Sequence, residues 1–194
     1  MAIGRPTEFD RKEALEKAMD LFWRNGYEAT SLAELIQEMG IGRQSLYNTF
    51  GDKHSLFVEA AKHYISSNGQ QLLVALQAPG SPVGNIRKAL EQVVEFLVSG
   101  ACRGCLVTNS IVELAPHDEQ IQKIVQSMVN RVEKAIKVAL DRAVDEGEIS
   151  AQADTRAMAR FLNSTVHGLV VMGKASASRA VLNDVVKIAL TTLE

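Results

Sequence analysis

Residues 31–50 constrain this chain more than any other stretch. Ser31 opens an apolar-periodic run with Glu34 three residues on, Leu32, Leu35 and Ile36 form its stripe, and Gly40 ends it. Ile41-Gly42 then makes a tight turn, and Arg43 to Phe50 reads as a second short helix, stopped by Gly51-Asp52. Helices of about nine residues are marginal alone in water, so these two must pack together and against a third. That third begins at Asp10, whose side chain caps the helix while Glu13 reaches back to it in a capping box. Ala14, Leu15, Ala18, Leu21 and Phe22 repeat along it until Asn25-Gly26 ends it. Two short helices around a glycine-containing turn describe a helix-turn-helix, whose second helix can lie in the DNA major groove.

Helical periodicity continues to the end of the chain, with no period-2 run bounded by turns, so the fold class is all-α. A long helix is predicted over 53–77. Two prolines and a glycine within Ala78-Pro79-Gly80-Ser81-Pro82 break it. Further helices are predicted at about 83–99, 103–115, 118–146, 154–173 and 178–193. The expected organisation is a helix-turn-helix DNA-binding domain over 1–52 and a helical ligand-binding and dimerisation domain over 53–194. At 194 residues the chain can bury a core without disulfides. Met1 to Asp10 carries charge and no apolar run, and no uncharged stretch reaches the ~18 residues of a membrane span. A cytoplasmic protein without a membrane partner is the expectation. The chain carries no HExxH, P-loop or Gly-x-Ser-x-Gly pattern, so neither an enzyme nor a cofactor is expected.

A formal net charge of −2, from 21 Lys+Arg and 23 Asp+Glu, argues mildly against nucleic acid when taken alone. The placement of the acids reverses that. None occurs in residues 1–7 or 39–51, so the arm bearing Arg5 and the second short helix are both free of negative charge. The local field, rather than the total, decides whether a phosphate approaches. Leu46 and Phe50 share one face of the second helix, while Gln44, Ser45 and Asn48 fall on the other with Tyr47 on its flank. Gln and Asn pair in bidentate fashion with adenine, Arg43 reaches guanine or phosphate, and a tyrosine hydroxyl at a groove edge meets phosphate.

Gly26-Tyr27-Glu28-Ala29-Thr30-Ser31-Leu32, together with Met39 through Phe57, resembles the N-terminal signature of the tetracycline-repressor (TetR) family of bacterial regulators. The resemblance spans residues 5–60 and includes the Gly-Arg-Pro arm, the Tyr and Phe of the third helix, and Gly-Asp-Lys-x-x-Leu-Phe at the start of the fourth. It implies a homodimer formed by the last two helices, a palindromic double-stranded DNA operator, and release when a small-molecule effector alters the spacing of the two reading heads. By match to family positions, Thr30 or Ser31, Tyr47 and Lys53 would contact phosphate, and Arg43, Gln44 and Asn48 would face bases.

The remaining helices would line an effector cavity. Candidate polar groups are Asn109, Glu113, Asn163 and His167, and candidate apolar walls are Phe96, Phe161 and Met172. Cys102-Arg103-Gly104-Cys105 is a lone CxxC at an expected helix start, a poor metal site without a second pair. Cys105 is read as a packing residue first and as a thiol-based redox or electrophile sensor second. The last two helices are the expected dimer surface, through Ala157, Phe161, Leu162, Thr165, Leu169 and Met172 on one and Val181, Val185, Ile188, Ala189 and Leu193 on the other. The leading reading is therefore a ligand-released repressor. A DNA binder of the same fold without small-ligand control stands beside it.

Overall fold

The computed structural model describes residues 9–99 and 103–194, so Arg5 and Cys102 lie outside the described residues. Within them the chain forms ten α-helices and one 3₁₀ turn, and no strand. The first three are α1 (Arg11–Asn25), α2 (Leu32–Met39) and α3 (Arg43–Phe50). Asp10 caps α1 by accepting from Lys12 N and Glu13 N. Glu13 does not complete a reciprocal box there; its carboxylate pairs instead with Lys17 at 2.7 Å. The full capping box forms at α2, where Ser31 Oγ accepts from Glu34 N and the Glu34 carboxylate accepts from Ser31 N. Leu35, Met39, Ile41, Leu46 and Phe50 turn inward, and Phe22 of α1 meets Phe57 edge-on at 5.0 Å between ring centroids.

The helix expected over 53–77 is two helices, α4 (Lys53–Ser67) and α5 (Gln70–Leu76). Asn68 N and Gly69 N both turn back to Tyr64 O, while the side chain of Gln70 takes Ile65 O at 2.9 Å. A Cβ at Gly69 would stand 2.8 Å from Ile65 O and 3.1 Å from Met128 Cε, so the break is a close approach that only glycine permits. Beyond the proline-rich loop lie α6 (Pro82–Val98), α7 (Leu106–Glu113), α8 (Glu119–Asp145), α9 (Thr155–Lys174) and α10 (Arg179–Leu190). The helix expected over 103–115 is shorter because Gly104 adopts φ +71° and Cys105 is extended as the cap residue. α4 packs on α1, α8 packs on α6 and α9, and α10 closes over α6 and α9. No helix among the described residues is long and apolar enough to cross a membrane.

Candidate functional site

The outward face of α3 carries Arg43, Gln44, Tyr47 and Asn48, all exposed, with Ser45 half-buried beside them. Gln44 and Asn48 are one turn apart, and Gln44 Nε2 donates to Asn48 Oδ1 at 2.9 Å, which holds the two amides as a pair on the surface. The Arg43 guanidinium lies 5.9 Å from the Tyr47 ring centroid. Lys53 Nζ stands 4.3 Å over the ring of Tyr27, which ties the start of α4 to the loop before α2. Asp52 caps α4 through Ser55 N at 2.7 Å, and that same backbone N–H holds the Asp52 carboxyl below its ordinary value. Thr30 departs from expectation. It is fully buried and its hydroxyl donates to Gly26 O at 2.6 Å, so Thr30 pins the loop and the start of α2 presents Ser31 to solvent.

A cavity of about 240 Å³ lies among α1, the α4–α5 break, α6, α7, α8 and α9. Trp23, from the end of α1, forms part of its wall: the indole stacks on Phe96 at 6.2 Å and meets Tyr64 edge-on at 5.0 Å. Trp23 Nε1 donates to Gly104 O at 3.0 Å, and Arg103 pairs with Asp20 at 3.1 Å, so the segment before α7 is fastened to α1 at two points. Burial first, and the adjoining Cys105 thiol second, push the Tyr64 hydroxyl far above its ordinary range, which keeps it a neutral phenol.

Of the residues expected to line a cavity, the structure brings Phe96, Cys105, Asn163 and His167 together there. It does not bring Asn109, Glu113, Phe161 or Met172. Asn109 Nδ2 donates to Arg103 O at 3.2 Å and braces the turn before α7. The Glu113 carboxylate accepts the backbone N–H groups of Tyr27 and Glu28. Phe161 points outward and is 46% exposed; Val181 and Ile188 of α10 are exposed as well. Trp23, Tyr64 and Thr108 are wall residues that sequence reasoning missed. One trace of Trp23 was present: Leu21, Phe22 and Trp23 are consecutive apolar residues, more than one helix face can hold. Among the described residues, no group of three or more His, Cys, Asp and Glu side chains is placed to hold a metal ion.

Comparison with known proteins places this geometry. Residues 14–60 match the family described as "Bacterial regulatory proteins, tetR family", and residues 82–189 match "Tetracyclin repressor-like, C-terminal domain". The HTH-type transcriptional regulator YezE of Bacillus subtilis is 35% identical, covering 99% of this chain and 100% of that protein. The HTH-type transcriptional repressor ComR of Escherichia coli is 32% identical over 98% of this chain and 90% of its own length. Among solved structures, a cysteine mutant of the TetR family regulator CifR, complexed with a 26 bp double-strand operator DNA, superposes with a TM-score of 0.85 at 33% identity, over 96% of this chain and 98% of that one.

Proposed function

This chain belongs to the TetR family of DNA-binding transcriptional regulators, and from that premise we propose that it is a repressor that holds a palindromic operator as a homodimer and is released by a small molecule. Residues 1–52 serve as the reading head and 53–194 as the effector and dimerisation unit. Arg43, Gln44, Ser45 and Asn48 read base edges, while Arg5, Ser31, Tyr47 and Lys53 meet phosphate. Phe161, Val181 and Ile188, large apolar side chains left on the surface of α9 and α10, suit burial against a second copy.

The observation that carries ligand control is the place of Trp23. It belongs to the first helix of the reading head, yet it forms a wall of the cavity and bonds to Gly104 at the foot of α7. A molecule entering the cavity touches the DNA-binding unit directly, which a regulator without ligand control does not require. Selection of bound sequences from random DNA at stated salt tests the DNA half of this reading. A two-fold symmetric consensus is expected, and no enrichment overturns it.

A second reading rests on Cys105. Its thiol lines the cavity at the cap of α7 and abuts Tyr64, so an electrophile taken up there meets a cysteine. Operator release by a quinone should then be lost in Cys105→Ser. Unchanged release in that variant removes the thiol from the mechanism.

A further inference from the structure

The wall of the cavity divides by exposure. Of the described residues that line it, Asn68, Gln71, Gln92 and Phe96 are exposed, and the rest are buried or half-buried. Asn68 ends α4 and Gln71 lies in the first turn of α5, while Gln92 and Phe96 stand one turn apart on α6. α5 packs along α6. The cavity therefore opens to solvent between the α4–α5 break and the second half of α6, and three of the four side chains at its mouth are carboxamides.

Behind the mouth the wall is partly polar in composition but apolar in what it presents. Trp23 Nε1 is committed to Gly104 O, and the Tyr64 hydroxyl to the neighbouring Cys105 thiol. Thr108 Oγ1 and His167 Nδ1 bond to each other at 2.9 Å, and Asn163 Nδ2 donates to Val129 O at 3.2 Å. Asn163 Oδ1 and His167 Nε2 have no partner among the described residues, and their neighbours seal them from solvent. What a ligand can touch there is the aromatic surface of Trp23 and Tyr64 and the aliphatic side chains of Val107, Val132 and Val170. None of the described wall residues is Asp, Glu, Lys or Arg. A polar group pushed into this part would leave water and find no free partner, whereas one left at the mouth keeps both water and the carboxamides.

A cavity of ~150 Å³ holds benzene; this one, at about 240 Å³, accommodates a larger or fused ring. We propose that the cavity takes an aromatic molecule that is polar at one end only, entering between α5 and α6, with its rings against Trp23, Tyr64 and Phe96 and its polar end left among the amides of Asn68, Gln71 and Gln92. A carboxamide, ester or ketone end suits this rim, because each side-chain amide there carries N–H donors as well as an acceptor oxygen. Whatever extends further from that end passes into water. This rests on the reading of the cavity as the effector site and adds to it the ligand class and its orientation.

Equilibrium dialysis of the full chain at neutral pH against three naphthalenes tests the assignment. The first is 6-isopropylnaphthalene-2-carboxamide, polar at one end. The second is naphthalene-2,6-dicarboxamide, of the same outline but polar at both, and the third is the first compound with a tetraethylene glycol chain on its amide nitrogen. The dicarboxamide should bind about tenfold or more weakly than the one-ended compound. The glycol chain should leave affinity within about threefold, because a chain that stays free in water loses little freedom. Gln71→Leu/Gln92→Leu removes two rim amides at exposed positions and should weaken the one-ended compound about threefold to tenfold; circular dichroism checks that the variant is folded. The wild-type series needs no variant. A dicarboxamide that binds as tightly as the one-ended compound removes the apolar inner end, and loss of binding on adding the chain removes the mouth as the seat of the polar end. Undiminished binding to the folded double variant removes the carboxamide rim, and no binding by any of the three overturns the ligand class. Operator release is followed in the same samples by fluorescence anisotropy. A one-ended compound that binds with this selectivity and leaves the operator bound upholds the ligand class and overturns ligand-controlled release.

Discussion

The Glu113 carboxylate, at the end of α7, accepts the backbone N–H of Glu28 at 2.9 Å, and with its other oxygen that of Tyr27 at 3.2 Å. Two acidic residues are thus joined through the main chain of one of them. α7 begins at the cavity, where Val107 and Thr108 are wall residues, and ends on the loop that leads into α2. Gly26 makes room for this contact. Its φ of +87° suits glycine, and a Cβ there would stand 3.0 Å from Glu113 Oε2. One short helix therefore runs from the cavity to the reading head and grips it by a carboxylate.

Glu113→Ala should loosen that grip without unfolding the protein. Glu28 is exposed and Tyr27 half-buried, so water replaces part of what is lost, and the cost should be about 1 kcal/mol in urea unfolding. Amide hydrogen exchange at Tyr27 and Glu28 should accelerate while the amides of α4 keep their protection. Wild-type exchange at both positions in the variant would mean that Glu113 does not hold the loop.

What the sequence made legible here was local, and what it hid was tertiary. The ends of α2 and α3 are written in Ser31, Glu34, Gly40 and Gly51, residues whose capping chemistry acts within a few positions. Thr30 and Ser31 were indistinguishable as phosphate ligands because both carry a hydroxyl; only the fold turns one onto Gly26 O and leaves the other outside. The break at Gly69 depends on Met128, far away in the chain, and on the side chain of Gln70, so periodicity ran straight through it. On α9, apolar residues occupy every side, with Phe161 exposed and Leu162 and Leu169 buried. Such a pattern does not say which side faces the cavity, and for that reason Phe161 and His167 were grouped although they point apart.

The α3 pair and the start of α4 should fail differently. Gln44→Ala removes one amide of the Gln44–Asn48 pair, so it should relax base preference at one operator position by about 1–3 kcal/mol. Lys53→Ala should weaken all sequences nearly equally and lower the salt slope of binding by about 1. Operator affinities for a set of single-base variants at several salt concentrations separate the two, and equal sequence-blind losses would contradict direct reading by α3.

Ile188 is 66% exposed on α10 and Phe161 46% exposed on α9, so both of the last two helices leave a large apolar side chain on the subunit surface. In the proposed homodimer, Ile188→Glu places a charge in the interface and should yield a monomer by sedimentation, with helix content intact because the position contributes nothing to the subunit core. Operator binding should fall with dimerisation. A variant that remains dimeric would move the interface away from this face.

His167 gives the fold a pH dependence whose sign is fixed by burial. Its folded-state pKa lies below the ordinary 6.5, so at lower pH the unfolded chain takes up a proton that the folded chain refuses. The stability tied to the neutral imidazole is fully present above about pH 6.5 and is lost as pH falls from there through the folded value. Asp52 and Asp118 act in the same direction but in a lower window. Their carboxyls are held below the ordinary 3.8, chiefly by the backbone N–H groups of Ser55 and Ile121, so what they contribute fades only as pH drops through those depressed values. Urea midpoints measured at about pH 7.5 and about pH 5.5 therefore isolate the histidines. The difference between those midpoints should shrink in His167→Gln, which keeps a polar group of similar reach but does not titrate. An unchanged difference would leave His167 without a share in the pH dependence.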